Sequence, residues 1–542
     1  MALSLTDVLK QHQRGHLKAA EKGYLALLRQ NPNDMAGWDS LGMLYAEQHK
    51  EKEAIACFQA IIRLQPNQPI AQLHLASTLK WFKRYAEAKK ILQDTIERHP
   101  DYAPAYNNLG AMYFAEDNFS LAEMHYEKAT QLVPDYIDAY YNLGLSLVKQ
   151  QKLEKAVVIY QTLLTLSPHH AAARFHLACL LMRQEKLSEA IQHFLVIIQT
   201  EPHHVETQTN LATCYLKQGQ FIEAKQHYTQ ALTLAPNDTH LLFNLGVTSA
   251  QLGELNQAIR YYQKTLQIHS EDVAAHQNLA VLLLAKQHPA LALQHFQEVL
   301  RLQPDNTSIR YLVDSLLQQS KAVAAPVDYI KNLFDSYATH YESHLVTTLH
   351  YQIPDQFLEI IRGIDAKPNS LDILDLGCGT GLCGEKLKLF ASSLSGVDLS
   401  ENMLAIAAEK KLYDTLACDT ILSFLAGKNA CYDVILAGDT LVYLGDLAPL
   451  FLSVNRALRH GGLFVFNTEI AYHPPYQANP SGRFAHHKNY LEDLATQFHF
   501  KRLQYKSTVT RRQQHQPVLG HLYVLECFHS DTGYDKLRSV PC

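Results

Sequence analysis

The densest chemistry in the chain is the run Asp375-Leu376-Gly377-Cys378-Gly379-Thr380-Gly381. Glycines at alternate positions allow a tight turn and let the backbone approach a ligand with no side chain between them. A carboxylate, Asp375, stands two places before the first glycine. A second, Asp398, follows 17 residues after Gly381 in Ser-Gly-Val-Asp, and a third, Asp419, closes the next β-rich run. An acid at the second position can hold both hydroxyls of a ribose, and one at the third can meet the amino group of adenine. The pattern describes a site for a nucleoside cofactor. It requires parallel strands that deliver each acid at a carboxyl end.

The surrounding sequence supplies such strands. From Leu371 onward, short β-rich runs alternate with amphipathic helices, which predicts a doubly wound α/β sheet. Strands are expected near 371–376, 393–398, 414–418, 432–437 and 461–468, with helices near 382–390, 402–411, 420–427 and 446–459. The runs 501–509 and 519–527 predict an antiparallel hairpin. The fourth strand ends in Ala437-Gly438-Asp439-Thr440, at the topological switch where open α/β sheets bind ligands. Asp439 is there to contact substrate or to order the loop; a helix-capping role is the alternative. Glu469–Tyr490 is a 22-residue Pro/His/Tyr-rich loop, expected as a lid or acceptor site. Within it Arg483 could bind an acceptor carboxylate and His486 could accept a proton. A purely structural loop is the other reading, and Tyr443 reads as packing.

A nicotinamide dinucleotide fold would show G-x-G-x-x-G with a pyrophosphate at a helix N-terminus. This chain has G-x-G-x-G preceded by an acid, and that spacing resembles motif I of the class I S-adenosylmethionine-dependent methyltransferases. The resemblance implies S-adenosylmethionine as cofactor. Its contacts would be Asp375, Gly377, Cys378, Gly379 and Gly381 in the loop, Asp398, Leu399 and Met403 after the second strand, and Asp419 after the third. The aromatic lead-in LFDSYATHYESHL, with LDLGCGTGLCG, GVDLSENML, YDVILAGDTLVYLGDL, GGLFVFNTE and SGRFAHHKNY, is similar to a bacterial group of methyltransferases that bear tetratricopeptide repeats. The (Asn/Asp/Ser)-Pro-Pro-aromatic motif of base-modifying N-methyltransferases is missing after the fourth strand, which argues against adenine or cytosine as acceptor. A sulfonium is already an activated leaving group, so alignment of the nucleophile is the main requirement, worth ~7–11 kcal/mol of barrier.

The first part of the chain is a repeat. In steps of 34, residues 20 to 292 give nine alanines, and residues 32 to 304 give proline with the single exception of Ser270. A third register carries Leu41, Leu75, Leu109, Leu143, Leu177, Leu211, Leu245 and Leu279, each followed by Gly or Ala. Small residues let paired helices approach, aromatic residues four beyond the alanine (Phe58, Tyr126, Tyr160, Phe194, Tyr228, Tyr262 and Phe296) fill the space between units, and proline stops the second helix. The whole pattern resembles the tetratricopeptide repeat, with a degenerate first unit as cap. The expected fold is an α-α superhelix followed by an α/β Rossmann-like class I methyltransferase domain. Its expected parts are nine repeats over 1–306, a capping helix and linker over 307–326, the methyltransferase domain over 327–530 and a tail over 531–542. Before the register leucines stand Asn108, Asn142, Asn210, Asn244 and Asn278, interrupted by His74 and His176. Asparagine can pair with the backbone of an extended peptide. The array resembles the asparagine ladder of O-GlcNAc transferase, which implies a protein or peptide partner on the concave face. Asn-Leu-Gly being a habit of these repeats is the plainer explanation.

Lys+Arg number 48 against 53 Asp+Glu in 542 residues, so the basic excess that nucleic acid requires is missing. The nine cysteines form no CxxC pair and the histidines are dispersed, so neither a disulfide framework nor a metal site is expected. With neither a signal-peptide core nor a membrane-length apolar run, the expected location is the cytoplasm. The leading expectation is methyl transfer to a protein or peptide delivered by the repeats. A small-molecule methyltransferase docked through its repeats, or a non-catalytic scaffold that binds S-adenosylmethionine, are the alternatives.

Overall fold

The computed structural model describes residues 4–317, 322–338, 341–364, 366–513 and 516–528. The expected tail, 531–542, lies outside the described residues. Two compact units make up the chain, Met1–Ala258 and Ile259–Cys542.

In the first unit a short opening helix, Leu5–Gln13, leads into alternating helices of 14 and 13 residues, beginning Leu17–Gln30 and Met35–Glu47. The register alanines, from Ala20 to Ala224, are all fully buried. Their purpose is visible at the glycines. A Cβ on Gly42, Gly110 or Gly144 would come within 2.8, 2.8 or 2.5 Å of Phe58, Tyr126 or Tyr160 in the same helical pair. In these three hairpins the aromatic register therefore seals the pair internally. It also reaches the next unit, as Phe58 does with His74 (5.8 Å between ring centres) and Tyr160 with His176 (5.7 Å). The turns hold a further register that the sequence hardly signals. Gly15, His49, Lys83, Asp117, Gln151, Glu185, Gly219 and Gly253 all have φ between 57° and 79°.

The second unit contains the helices Val273–Ala285 and Pro289–Leu302, then a closing helix, Thr307–Leu316, capped by the Asn306 side chain. The expected linker is built into the fold instead. Val323 O accepts from the N–H groups of Gly445 and Asp446, and the Ala325 N–H donates to Tyr443 O. A covering helix, Val327–Tyr337, follows, and then Ile353–Gly363.

A nine-stranded sheet comes next: β1 Leu371–Leu376, β2 Ala391–Asp398, β3 Thr415–Cys418, β4 Tyr432–Ala437, β5 Leu458–Ile470, β6 Tyr476–Ala478, β7 Phe484–His486, β8 Phe500–Gln513 and β9 Gln516–Cys527. Strands β3-β2-β1-β4-β5 are parallel, β9 pairs antiparallel with β5, and β8 lies outside β9. Runs such as Val-Ile-Leu-Ala in β4 are buried throughout, as strands covered on both faces must be. Phe451, Phe464 and Phe466 belong to one apolar cluster, and Ile353, Phe357 and Val434 to another. The expected strands and hairpin are present. The short β6 and β7 were not anticipated, because three residues offer too little alternation to read. Among the described residues no helix is long and apolar enough to cross a membrane.

Candidate active site

The glycine loop after β1 is shaped by its three glycines, at φ 69°, 53° and 92° for Gly377, Gly379 and Gly381. A Cβ at Gly377 would strike Thr440 Oγ1 at 2.4 Å, whereas one at Gly379 would meet only Tyr341, at 3.6 Å. The Gly377 and Cys378 N–H groups donate to Val397 O, which ties the loop to β2. At the end of β2, Asp398 accepts from the Gly379 N–H through one oxygen and from the Ser400 N–H through the other, both at 2.9 Å. Burial lifts the Asp398 carboxyl above its usual value, and the N–H groups of Ser400, Gly379 and Leu399 oppose that rise.

These residues border a cavity of about 290 Å³. Gly377, Gly379, Asp398, Leu399, Asp419 and Asp439 line it, together with Thr440, Tyr341 and Tyr443. Among the described lining residues the only charged groups are the three aspartates. Apolar lining comes from Val327, Ile330 and Phe334 of the covering helix and from Ile421 and Leu422 after β3. The covering helix is fastened by Asp335, which accepts from Ser400 Oγ at 2.6 Å and whose carbonyl accepts from Asn402 Nδ2 at 3.0 Å. Glu469–Tyr490 is expected as a lid or acceptor site, or as a purely structural loop. None of the described residues of that loop lines the cavity; β6 and β7 fold it back on the sheet, and the aromatic lead-in supplies the cover.

Asp375, Cys378, Gly381 and Met403 stand behind the cavity and are not among its lining. Asp375 is 1% exposed and accepts from the Tyr413 hydroxyl. Burial pushes its carboxyl to about 7, with Tyr413 opposing and Asp398 adding to the rise. Met403 is fully buried, and its N–H donates to Ser400 Oγ.

Asp439, at the end of β4, has φ 56°. The Asn467 side chain holds it from both sides: the Asp439 N–H donates to Asn467 Oδ1 at 2.8 Å, and Asn467 Nδ2 donates to Asp439 Oδ1 at 3.0 Å. Two guanidiniums converge on the other oxygen, Arg483 at 2.9 Å and Arg511 at 3.4 Å. Both also donate to Glu469 at 2.8 Å, which closes a buried quartet of two cations and two anions. Arg483 further donates to the Tyr443 hydroxyl at 3.3 Å. Burial alone would raise Asp439, but Arg483 and Arg511 outweigh it and hold the carboxyl below its usual value. Arg483 is thus engaged with the protein's own acids instead of being left open for an acceptor carboxylate. Arg511 and Glu469 were missed, since nothing in the local sequence of β8 or β5 links them to Asp439.

His486 needs a correction as a proton acceptor. It is fully buried in β7 and does not line the cavity. Its Nε2 faces the carbonyls of Leu444 and Gly445 at 2.8 and 3.1 Å, so that nitrogen carries the proton, and Nδ1 accepts from Thr468 Oγ1 at 2.5 Å. Burial lowers its pKa to about 4, so the ring is neutral and fully paired. It pins the 444–445 backbone behind Tyr443.

The five register asparagines, Asn108, Asn142, Asn210, Asn244 and Asn278, are all partly buried. Asn142 donates to Asn107 at 3.0 Å, and Asn278 to Tyr262 at 3.4 Å, so part of their capacity is used within the helices. Among the described residues no group of three or more His, Cys, Asp or Glu could hold a metal.

Comparison with known proteins agrees with this geometry. A methyltransferase-domain family model matches residues 374–466, from the middle of β1 into β5. Tetratricopeptide-repeat models match 13–69, 45–113, 112–151, 141–203, 204–271 and 249–316. The chain joins tetratricopeptide repeats to a class I methyltransferase domain. That domain is 33% identical over 107 residues to a malonyl-[acyl-carrier protein] O-methyltransferase of Bacillus cytotoxicus, covering 19% of this chain and 37% of that protein. It is 29% identical over 114 residues to a ubiquinone biosynthesis O-methyltransferase of Nitrosomonas europaea, covering 20% of this chain and 47% of that protein. The chain therefore spans less than half the length of these curated relatives. The repeats are similar to the solved structure of YrrB, a tetratricopeptide-repeat protein, at 20% identity over 34% of this chain and 95% of that one, with a TM-score of 0.33.

Proposed function

We propose that the methyltransferase domain transfers a methyl group from S-adenosylmethionine to a protein or peptide held by the repeats. The observation that carries the cofactor half is Asp398, anchored by the Gly379 N–H while its carboxylate borders the cavity. Asp398 would take the ribose hydroxyls, Asp419 the adenine amine, and Leu399, Ile421 and Leu422 the faces of the base. The Gly377–Gly379 turn, with no side chain in the way, would admit the methionine portion, and Asp375 beneath it would stabilise a positive charge. The lining carboxylates Asp398 and Asp419 suit a ligand bearing a sulfonium and an ammonium, whereas Asp439 is already paired with Arg483 and Arg511. When bound, S-adenosylmethionine supplies a methyl group on a good leaving group. The chain's own work is to orient the acceptor, through Asp439 and Tyr443 at the opposite wall, and to exclude water with the covering helix.

The asparagine register motivates the choice of a peptide acceptor. At ~1 kcal/mol net per hydrogen bond, several such contacts would hold a segment weakly and with little sequence demand. The relatives' names point to O-methylation of a carrier-bound or small acceptor, but the likeness covers mainly the cofactor-binding half and so does not favour that reading for this chain. Titration calorimetry of S-adenosylmethionine against the wild type and Gly379→Arg tests the cofactor. Labelled S-adenosylmethionine with cell lysate tests the acceptor. A labelled protein band is expected; label confined to small molecules would overturn the peptide reading, and absence of binding heat would overturn the whole.

A further inference from the structure

We infer that the helix closing the repeats, Thr307–Leu316, is a positioning element of the methyl-transfer site, so that the working transferase unit starts at this helix and not at Val327. The inference rests on the proposed role of Asp439 and Tyr443 as the wall facing the acceptor. Tyr311 of this helix is 4% exposed, and its hydroxyl donates to the Gly482 carbonyl at 3.0 Å. Gly482 has φ 73°, and a Cβ there would stand 2.8 Å from the Tyr329 hydroxyl and 3.2 Å from Leu312. The closing and covering helices together clamp this one backbone position. The next residue is Arg483, which bonds Asp439 at 2.9 Å and lies over the Tyr443 ring at 5.4 Å. Phe484, beyond it, sits 6.3 Å from the Tyr311 ring.

A second set of bonds comes from Val323 and Ala325, further along the sequence: Val323 O accepts from the Gly445 and Asp446 N–H groups, and the Ala325 N–H donates to Tyr443 O, all between 2.8 and 2.9 Å. Of the two segments that flank the Arg483–Asp439 ion pair, 479–484 is thus bonded to Tyr311 of the closing helix, and 438–446 to Val323 and Ala325. A helix that served only to cover the last repeat would need apolar contact alone. A directional bond from Tyr311 to the residue before Arg483, opposed by the Val323 and Ala325 bonds on the other side of the ion pair, fixes the angle at which Asp439 and Tyr443 meet the cavity. Tyr311 touches neither ligand nor cavity, and acts through Gly482 and Arg483.

The test uses the full chain with Tyr311→Phe, which deletes one hydroxyl, and Gly482→Ala as a second variant should the first fail to fold. Tyr106→Phe, whose hydroxyl donates to Pro100 O within the repeats, is the control. Hydrogen exchange is followed in 438–446, 479–486 and 371–400, with S-adenosylhomocysteine affinity and label transfer into lysate alongside. Positioning predicts about fivefold faster exchange in the first two segments, with 371–400 and S-adenosylhomocysteine affinity within about twofold of wild type. Transfer at saturating S-adenosylmethionine falls by a similar factor, with its KM unchanged. Unaltered exchange in both segments overturns the inference, and so does equal acceleration in 371–400 with lost affinity. Should the wild type transfer no label, the methyl-transfer reading fails, while the exchange comparison still decides the role of Tyr311.

Discussion

The Tyr413 hydroxyl donates to Asp375 Oδ2 at 2.8 Å, and that ring also closes on Gly384 and Gly396, where a Cβ would approach it to 2.6 and 2.9 Å. One tyrosine therefore fixes both the acid beneath the glycine loop and the two backbones beside it. With Asp375 lifted by burial to about 7, folding takes up a proton between the usual carboxylate value and that pH. This contribution to stability is complete near pH 4, shrinks as pH rises, and is gone above about 7. Denaturant titrations of wild type and Asp375→Asn at pH 5 and 8 should show wild type losing a few kcal/mol relative to the variant.

A cationic ligand above the same carboxyl drives its proton off. S-adenosylmethionine affinity should rise from pH 6 to 8, with up to one proton released per ligand bound near pH 6.5. Calorimetry in two buffers of different ionisation enthalpy measures that release. In Asp375→Asn both the slope and the proton should vanish.

Asp398→Ala removes the acceptor proposed for the two ribose hydroxyls. At ~1.5–3 kcal/mol per charge-assisted bond, S-adenosylhomocysteine should bind at least tenfold more weakly, with a lower melting temperature as well, because the Gly379 and Ser400 N–H groups lose their acceptor. Equal affinity in direct titration would remove Asp398 from the ribose site.

The Arg483–Asp439–Glu469–Arg511 quartet balances its charges away from water, so removing one member strands its partner. Arg511→Met should cost ~3–5 kcal/mol of stability, and adding Glu469→Gln should restore part of it. A double-mutant cycle by denaturant unfolding measures the coupling; additive losses would mean the pair is not coupled.

His486→Asn should lower stability without altering the pH profile of turnover above pH 6.5, because the native ring is already neutral there. Its pKa of about 4 lies below the unfolded value. Its share of stability is therefore full above pH ~6.5 and falls as pH drops toward 4. A turnover profile that loses an inflection in the variant would restore His486 as a proton acceptor.

Much of this was legible in the chain. The alanine, leucine and proline registers specify helical pairs because each position is a packing constraint repeated in steps of 34. The glycine loop with Asp398 and Asp419 could be read because strand ends and loops are local. What could not be read was long in range. Arg511 meets Asp439 across 72 residues, and Tyr311 meets Gly482 across 171, with no periodicity to announce either. The left-handed turn register escaped for a different reason. His49, Lys83, Asp117, Gln151 and Glu185 occupy positions that favour glycine, so composition gave no cue. Gln151→Gly should accordingly stabilise the first unit by about 1 kcal/mol in denaturant unfolding.

The bond between Asp335 and Ser400 has a kinetic meaning. The helix that bears Asp335 borders the cavity, so under the proposed function Asp335→Ala should hasten release of S-adenosylhomocysteine, measured by stopped-flow dissociation. The dwell time of the proposed product would then be set by one carboxylate outside the chemistry. Loosening that latch would hasten turnover whenever departure is the slow step.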